Sequence, residues 1–195
     1  MNFLKSRIAK CIGLFAVCLS LTQNLKAEDK VYVRNAGLVI LQSYIPMYFE
    51  RLGLTKNNQF ISPDSQIRAV HYLQFLATGQ TETSDQFLTL NKILCGLSPE
   101  TSVDIEFTPT QAEIEMTNGL IKAMINYWSA IGSSSVEGFR GNWLVRDGLL
   151  IEKSDRLELT VDKRAYDVLL AKSPFSFSVI KLPWMTASLY VNWPY

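Results

Sequence analysis

Residues 35–52 of this chain are apolar almost all round. Leu38, Leu41, Ile45, Tyr48, Phe49 and Leu52 recur at helical spacing, and little polar surface is left between them. A helix without a polar face is buried on most sides, so the rest of the chain has to wrap around it. Pro46 lacks an N–H and clashes one turn back, so it kinks or restarts this helix. Gly53 stands where a helix C-terminus is expected.

The chain is long enough to do the wrapping. Its 195 residues make one domain, or at most two small ones, able to bury a core without disulfides or metals. With 48% hydrophobic and 19% charged residues, intrinsic disorder is excluded. A net charge of +1 excludes a broad electrostatic footprint for nucleic acid.

Punctuation marks the other elements. Ser62-Pro63 is a helix start, followed by Ile67, Val70, Leu73, Phe75, Leu76 and Ala77, with Gly79 as the stop. Leu88 to Leu97 reads as a short apolar helix with Asn91 and Lys92 as its polar interruption. Thr108-Pro109-Thr110-Gln111 starts a further helix with a capping box, and Ile114, Leu120, Ile121, Met124, Ile125 and Trp128 form its stripe. Ser135 to Arg146 predicts another helix. The alternation of Leu149 to Glu152 and Arg156 to Val161 predicts a β-hairpin. Residues 163–171 predict a short helix, and Phe177 to Leu182 and Leu189 to Val191 predict short strands. The expected class is α+β: a mainly α-helical compact domain with a small β-hairpin and short C-terminal strands.

The N-terminal 30 residues have a different character. Lys5, Arg7, Lys10, Lys26 and Lys30 face only Glu28 and Asp29, and Cys11 to Leu21 form an apolar run. Cations, apolar run and polar close follow the order of a secretory signal, with Ala27 before the expected cut. The run is short for a permanent membrane span. The expected division is a signal-like or unrelated leader at 1–30 and one domain at 31–195. Removal of the leader would leave Cys95 as a lone core thiol and no internal disulfide.

Chemistry-bearing constellations are absent from the sequence pattern. His71, the one histidine, lies in a helical apolar run and reads as a packed residue. Asp104 with Glu106, and Glu113 with Glu115, read as solvated pairs. No metal-ligand spacing, phosphate loop or nucleophile motif occurs. The expectation is no enzyme, no catalytic residues, no cofactor, no metal, no nucleic acid and no small-molecule substrate. Aromatics are abundant instead, with Trp128, Trp143, Trp184 and Trp193 among them. Most are expected in the core and some at an interface.

Several blocks carry a resemblance. Tyr32 to Leu41 and Phe49 to Leu54 resemble the opening of the C-terminal region of contractile injection system tape measure proteins. Arg68 to Gly79, Leu90 to Leu97, Ser134 to Arg140 and Lys163 to Leu170 are similar to later blocks, in the same order. Ile180-Lys181-Leu182-Pro183-Trp184-Met185 and Val191-Asn192-Trp193 match the close. The resemblance covers about residues 31–195. Asn35, Gly37, Trp143, Tyr166, Pro183, Trp184, Met185 and Trp193 are the candidate packing and interface residues.

The resemblance implies a structural component of a phage-tail-like contractile particle, whose tape measure sets tube length during assembly. The implied part is the C-terminal anchoring domain. Implied partners are tail tube, spike or baseplate proteins, with self-association as a further option. Two departures accompany it. The family carries a long segment before the Asn-Ala-Gly block, whereas about 30 residues precede it here, so this copy reads as truncated. Even wholly helical, residues 31–195 would span only about 250 Å. The leader points to export, whereas particle assembly is cytoplasmic. An exported stand-alone protein-binding module with the same fold, or a non-functional gene remnant, are the alternatives.

Overall fold

The computed structural model describes residues 30–104, 106–153 and 155–195. Residues 1–29 of the expected leader, with the expected cut after Ala27, lie outside the described residues. Strand β1 (Lys30–Val33) leads into a 3-10 helix at Ala36–Leu41 and then α1 (Ile45–Arg51). A two-stranded ribbon follows, β2 (Thr55–Lys56) with β3 (Gln59–Phe60). Helices α2 (Pro63–Thr78), α3 (Thr89–Leu94), α4 (Gln111–Tyr127) and α5 (Val136–Phe139) come next. The last of these runs on as a π-helical turn at Arg140–Leu144. The chain closes with β4 (Gly148–Glu152), β5 (Leu157–Val161), a 3-10 helix at Ala165–Lys172, β6 (Val179–Ile180) and β7 (Leu189–Asn192).

The sheet corrects the expected fold class. In place of a small hairpin on a mainly helical domain, five strands form one sheet in the order β1-β4-β5-β7-β6, beside the separate ribbon. The hairpin β4–β5 is present, with Leu150 opposite Leu159. Its outer partners come from far along the chain. β1 pairs antiparallel with β4, Val33 opposite Gly148, and β7 runs parallel to β5, Leu159 opposite Val191. A four-residue edge strand at the border of a leader has no local turn to announce it, and a parallel neighbour has no hairpin signal.

Side chains alternate across the sheet. Val33, Leu150, Leu159, Val161, Ile180 and Leu189 are buried on the inner face. Tyr32, Thr160, Tyr190 and Asn192 are exposed on the other. This is the expected division for a largely antiparallel sheet with one solvated face.

The apolar segment that led the sequence reading does restart at Pro46, which stands in the first turn of α1. Its first part is a 3-10 helix whose residues Ala36 to Leu41 are all buried. Helix α2 is the other internal element, buried without a break from Ala69 to Ala77. Ser62 caps it by accepting from the Ser65 N–H at 3.1 Å, and Gly79, at φ 74°, ends it. Helix α4 is amphipathic, burying Thr117, Ile121, Met124 and Ile125, and carries the full capping box between Thr110 and Glu113. No described helix is long and apolar enough to cross a membrane.

Candidate functional site

Asn35 joins three blocks that are far apart in sequence. Its Nδ2 donates to Gln74 Oε1 at 3.0 Å and to Asn91 Oδ1. Asn91 Nδ2 in turn donates to the Val70 carbonyl at 3.1 Å and to Gln74 Oε1 at 3.3 Å. All three carboxamides are buried. A buried amide is tolerated only when hydrogen-bonded, so the triad selects one mutual placement of β1's exit, α2 and α3. Asn91 and Lys92 therefore do not interrupt α3 toward solvent. Lys92 is 1% exposed, and its Nζ donates to Asp85 Oδ2 at 2.8 Å and the Pro99 carbonyl at 3.0 Å.

A second polar tie closes the end of α2. Arg140 donates from Nε to the Leu76 carbonyl at 3.1 Å and from Nη2 to the Phe75 carbonyl at 3.3 Å. Nη2 also reaches Asn118 Oδ1 on α4 at 3.2 Å. A cation on the last carbonyls of a helix answers unpaired acceptors and the negative end of its dipole together.

The third tie is an ion pair with both partners fully buried. Arg146 grips Asp167 with both forks, Nη1 to Oδ1 at 2.8 Å and Nη2 to Oδ2 at 2.7 Å. The Arg164 backbone N–H and Trp193 Nε1 also donate to Asp167 Oδ2, at 2.8 and 3.1 Å. Arg146 Nη2 donates further to the Asp162 carbonyl at 2.6 Å. Burial pushes the Asp167 carboxyl up, but the donors on it outweigh that effect and hold it below its usual range. Aromatic rings complete the enclosure: the Arg146 guanidinium lies 5.0 Å from the centre of Trp193 and 5.7 Å from that of Tyr166. Trp143 packs between Tyr166 and Trp128, with ring centres 5.3 and 4.4 Å away.

The close of the chain makes the fourth tie. Trp184 Nε1 donates to the Leu94 carbonyl at the end of α3 at 2.7 Å, and its ring packs on Phe60 and Phe49. Met185 is buried beside it, while Pro183 is exposed. Gly96 allows the approach. It has φ 74°, and a Cβ there would press on the Trp184 carbonyl.

These ties run between segments that span the whole described chain, and the comparison with known families covers them all. The model for the contractile injection system tape measure protein family matches residues 16–193. This chain belongs to that family. No curated protein and no solved structure matches it. The tape measure family match begins inside the apolar run at 11–21, so it takes in part of the segment read as a leader.

The eight candidates from sequence fall into distinct places in this tape measure family chain. Trp143, Tyr166 and Trp193 gather around the Arg146–Asp167 pair. Asn35 and Gly37 lie at the start of the apolar segment, and Trp184 lies against the end of α3 between exposed Pro183 and buried Met185. Asn35, Trp143, Met185 and Trp193 are each at most 6% exposed. The large apolar side chains that do face solvent are others, with Tyr32, Tyr127 and Val168 among them. Sequence reasoning missed Gln74, Arg140, Arg146 and Asp167. The available signal was a polar residue inside an apolar run, as in Trp143-Leu144-Val145-Arg146.

Among the described residues, no group of three or more His, Cys, Asp and Glu side chains is placed to hold a metal. His71 is buried and stacked on Phe107, with ring centres 5.4 Å apart and an angle of 3°. Burial lowers its pKa, Asp104 opposes that shift and Arg68 adds to it. The unfolded chain therefore takes up a proton near pH 6.5 that the folded chain resists, so stability falls as pH drops below that value. Urea midpoints should be lower at pH 5.5 than at pH 7.5, and His71→Phe should remove most of that difference. Equal midpoints in the parent protein would contradict this reading of the site.

Proposed function

We propose that this chain is a structural component of a contractile injection particle and serves as an anchoring domain of the tape measure type. The observation that carries the reading is the family match across residues 16–193. The architecture agrees with it. The side-chain chemistry is spent on holding distant segments together: a carboxamide triad, a capped helix end, a buried ion pair and a tryptophan-to-carbonyl bond. A domain whose distant segments are tied in this way is held in one arrangement, which suits a fixed attachment point in an assembling tube. Its partners in this reading are the tail tube, spike or baseplate proteins, and its activity is mechanical and positional, with no catalytic step.

The test is composition of the particle. Contractile particles purified from the native host should contain this polypeptide in constant ratio to the spike, measured by quantitative mass spectrometry. Deletion of its gene should alter tube length or abolish assembly in electron micrographs. Particles of normal length that lack the polypeptide would overturn the reading.

A further inference from the structure

The outer face of the sheet is richer in apolar groups than a solvated face needs to be. Strand register lays its side chains in two rows. Ile151, Glu158, Tyr190 and Val179 cross β4, β5, β7 and β6, and Tyr32, Leu149, Thr160 and Asn192 cross β1, β4, β5 and β7. Tyr32, Tyr190 and Val179 are 82%, 45% and 51% exposed, and Leu149 and Ile151 between them are half-buried. Glu158, the carboxylate in the middle, already holds Lys153 at 2.7 Å and Arg156 at 2.8 Å. The Arg156 guanidinium also lies 5.5 Å from the centre of the Tyr190 ring. The charge on this face is therefore answered locally, and what remains is apolar surface.

We propose that residues 11–25 of this same chain cover that face as a helix, so that the stretch patterned like an export signal stays in the protein as a layer of the domain. Three observations select this occupant. The chain enters the sheet at Lys30, the first residue of edge strand β1, so the preceding residues are tethered at the border of the open face. The family match reaches back past β1 to residue 16, so the matched unit includes this segment. The segment is also sided. At helical period Cys11, Leu14, Phe15, Cys18, Leu21 and Leu25 share one stripe, and Gly13, Ala16, Ser20 and Asn24 lie opposite, small or polar. An export signal needs an apolar run and has no use for two different sides. The dimensions agree. Fifteen helical residues are about 22 Å long, and the five-residue strands β4 and β5 are about 17 Å. Residues 26–29 then make a connection of ordinary length between a helix and a strand. Helices on both faces of the sheet would complete a layered domain. This inference stands independently of the particle reading.

Photo-crosslinking in the full-length chain tests this. The photoreactive residue p-benzoylphenylalanine is placed singly at Tyr32 and Tyr190 on the open face, and at Val168, which is 61% exposed outside the sheet, as the control. Trypsin cuts after Lys10 and Lys26, so the run leaves as one peptide, Cys11 to Lys26. Irradiation should join that peptide to positions 32 and 190, and position 168 should give little of it. Leu14→Asp with Phe15→Asp should lower the yield at least about tenfold, because two large apolar side chains leave the contact. Ser20→Asp, on the opposite side, should leave the yield nearly unchanged. Mixing nitrogen-14 and nitrogen-15 chains separates a second copy from the same chain, since only a second copy joins light peptide to heavy. The polypeptide isolated from its native host should retain the residues up to Ala27 by intact mass. Absence of the adduct at both sheet positions overturns the proposal. So does equal yield at position 168, equal loss from Ser20→Asp, a mixed-isotope adduct, or a native chain that begins at Glu28.

Discussion

Replacing Asp167 with alanine should lower the unfolding free energy by about 3–5 kcal/mol. The size follows from what is left behind. Arg146 is 0% exposed, and without the carboxylate its two forks would face only the Asp162 and Asn142 carbonyls and the rings around them. Removing one member of a buried pair strands an uncompensated charge in a medium that cannot solvate it. Trp193 and the Arg164 backbone would lose their acceptor as well. Urea unfolding followed by tryptophan fluorescence measures the loss, and a drop under about 1 kcal/mol would show that the pair is hydrated rather than enclosed. The double variant Arg146→Met with Asp167→Leu should be less damaged than Asp167→Ala alone, because it removes both charges together. Acid should reproduce part of the effect. The folded carboxyl titrates below its ordinary value of 3.8. Its contribution is therefore whole above that pH and is lost as pH falls through the folded pKa.

The same pair shows where a sequence reading stops. Periodicity found α2 and α4 because their caps and stripes are local: Ser62-Pro63 begins one, and Thr110 with Glu113 begins the other. The β4–β5 hairpin was equally legible, since alternation and a short loop lie within one stretch of chain. The five-stranded sheet was not, because β1 and β7 acquire meaning only when paired with strands remote in sequence. The ties were hidden for the same reason. Nothing near Arg146 announces Asp167, 21 positions on. Asn35 reads as a loop residue until Gln74 and Asn91 stand beside it. Long-range polar pairing leaves only a weak local mark: a charged or amide side chain where the pattern calls for an apolar one. The candidate aromatics were easier, because large rings declare burial by themselves, though not which partner they cover.

Gly37→Ala should be the most damaging glycine-to-alanine change among the described residues. Gly37 lies in the buried 3-10 helix Ala36–Leu41, facing the π-helical turn Arg140–Leu144. A Cβ built there would collide with the Trp143 carbonyl oxygen, 2.7 Å from its carbon and 2.8 Å from Leu144 Cα. All three obstacles are backbone, so no rotamer change relieves them. The two segments are also held together next door, where the Ala36 N–H donates to the Arg146 carbonyl at 2.9 Å. The backbone at Gly37 is not in the left-handed region, so the requirement for glycine comes from contact and not from φ. Overpacking typically costs about 1–3 kcal/mol, and this site should exceed that range because the clash is with main chain on both sides of a peptide group. Moving the turn away would also carry Trp143 off Trp128 and disturb the Arg146 pair two residues beyond Leu144. Gly119 supplies the internal control. It is exposed within α4 and a Cβ there meets nothing within 4 Å, so Gly119→Ala should stabilise by about 0.5–1 kcal/mol. If both variants unfold at the parent's urea midpoint, the two backbones are not in contact at Gly37. A large loss at Gly37 with a gain at Gly119 would mark the crossing of the apolar segment and the π turn as the tightest point of the fold.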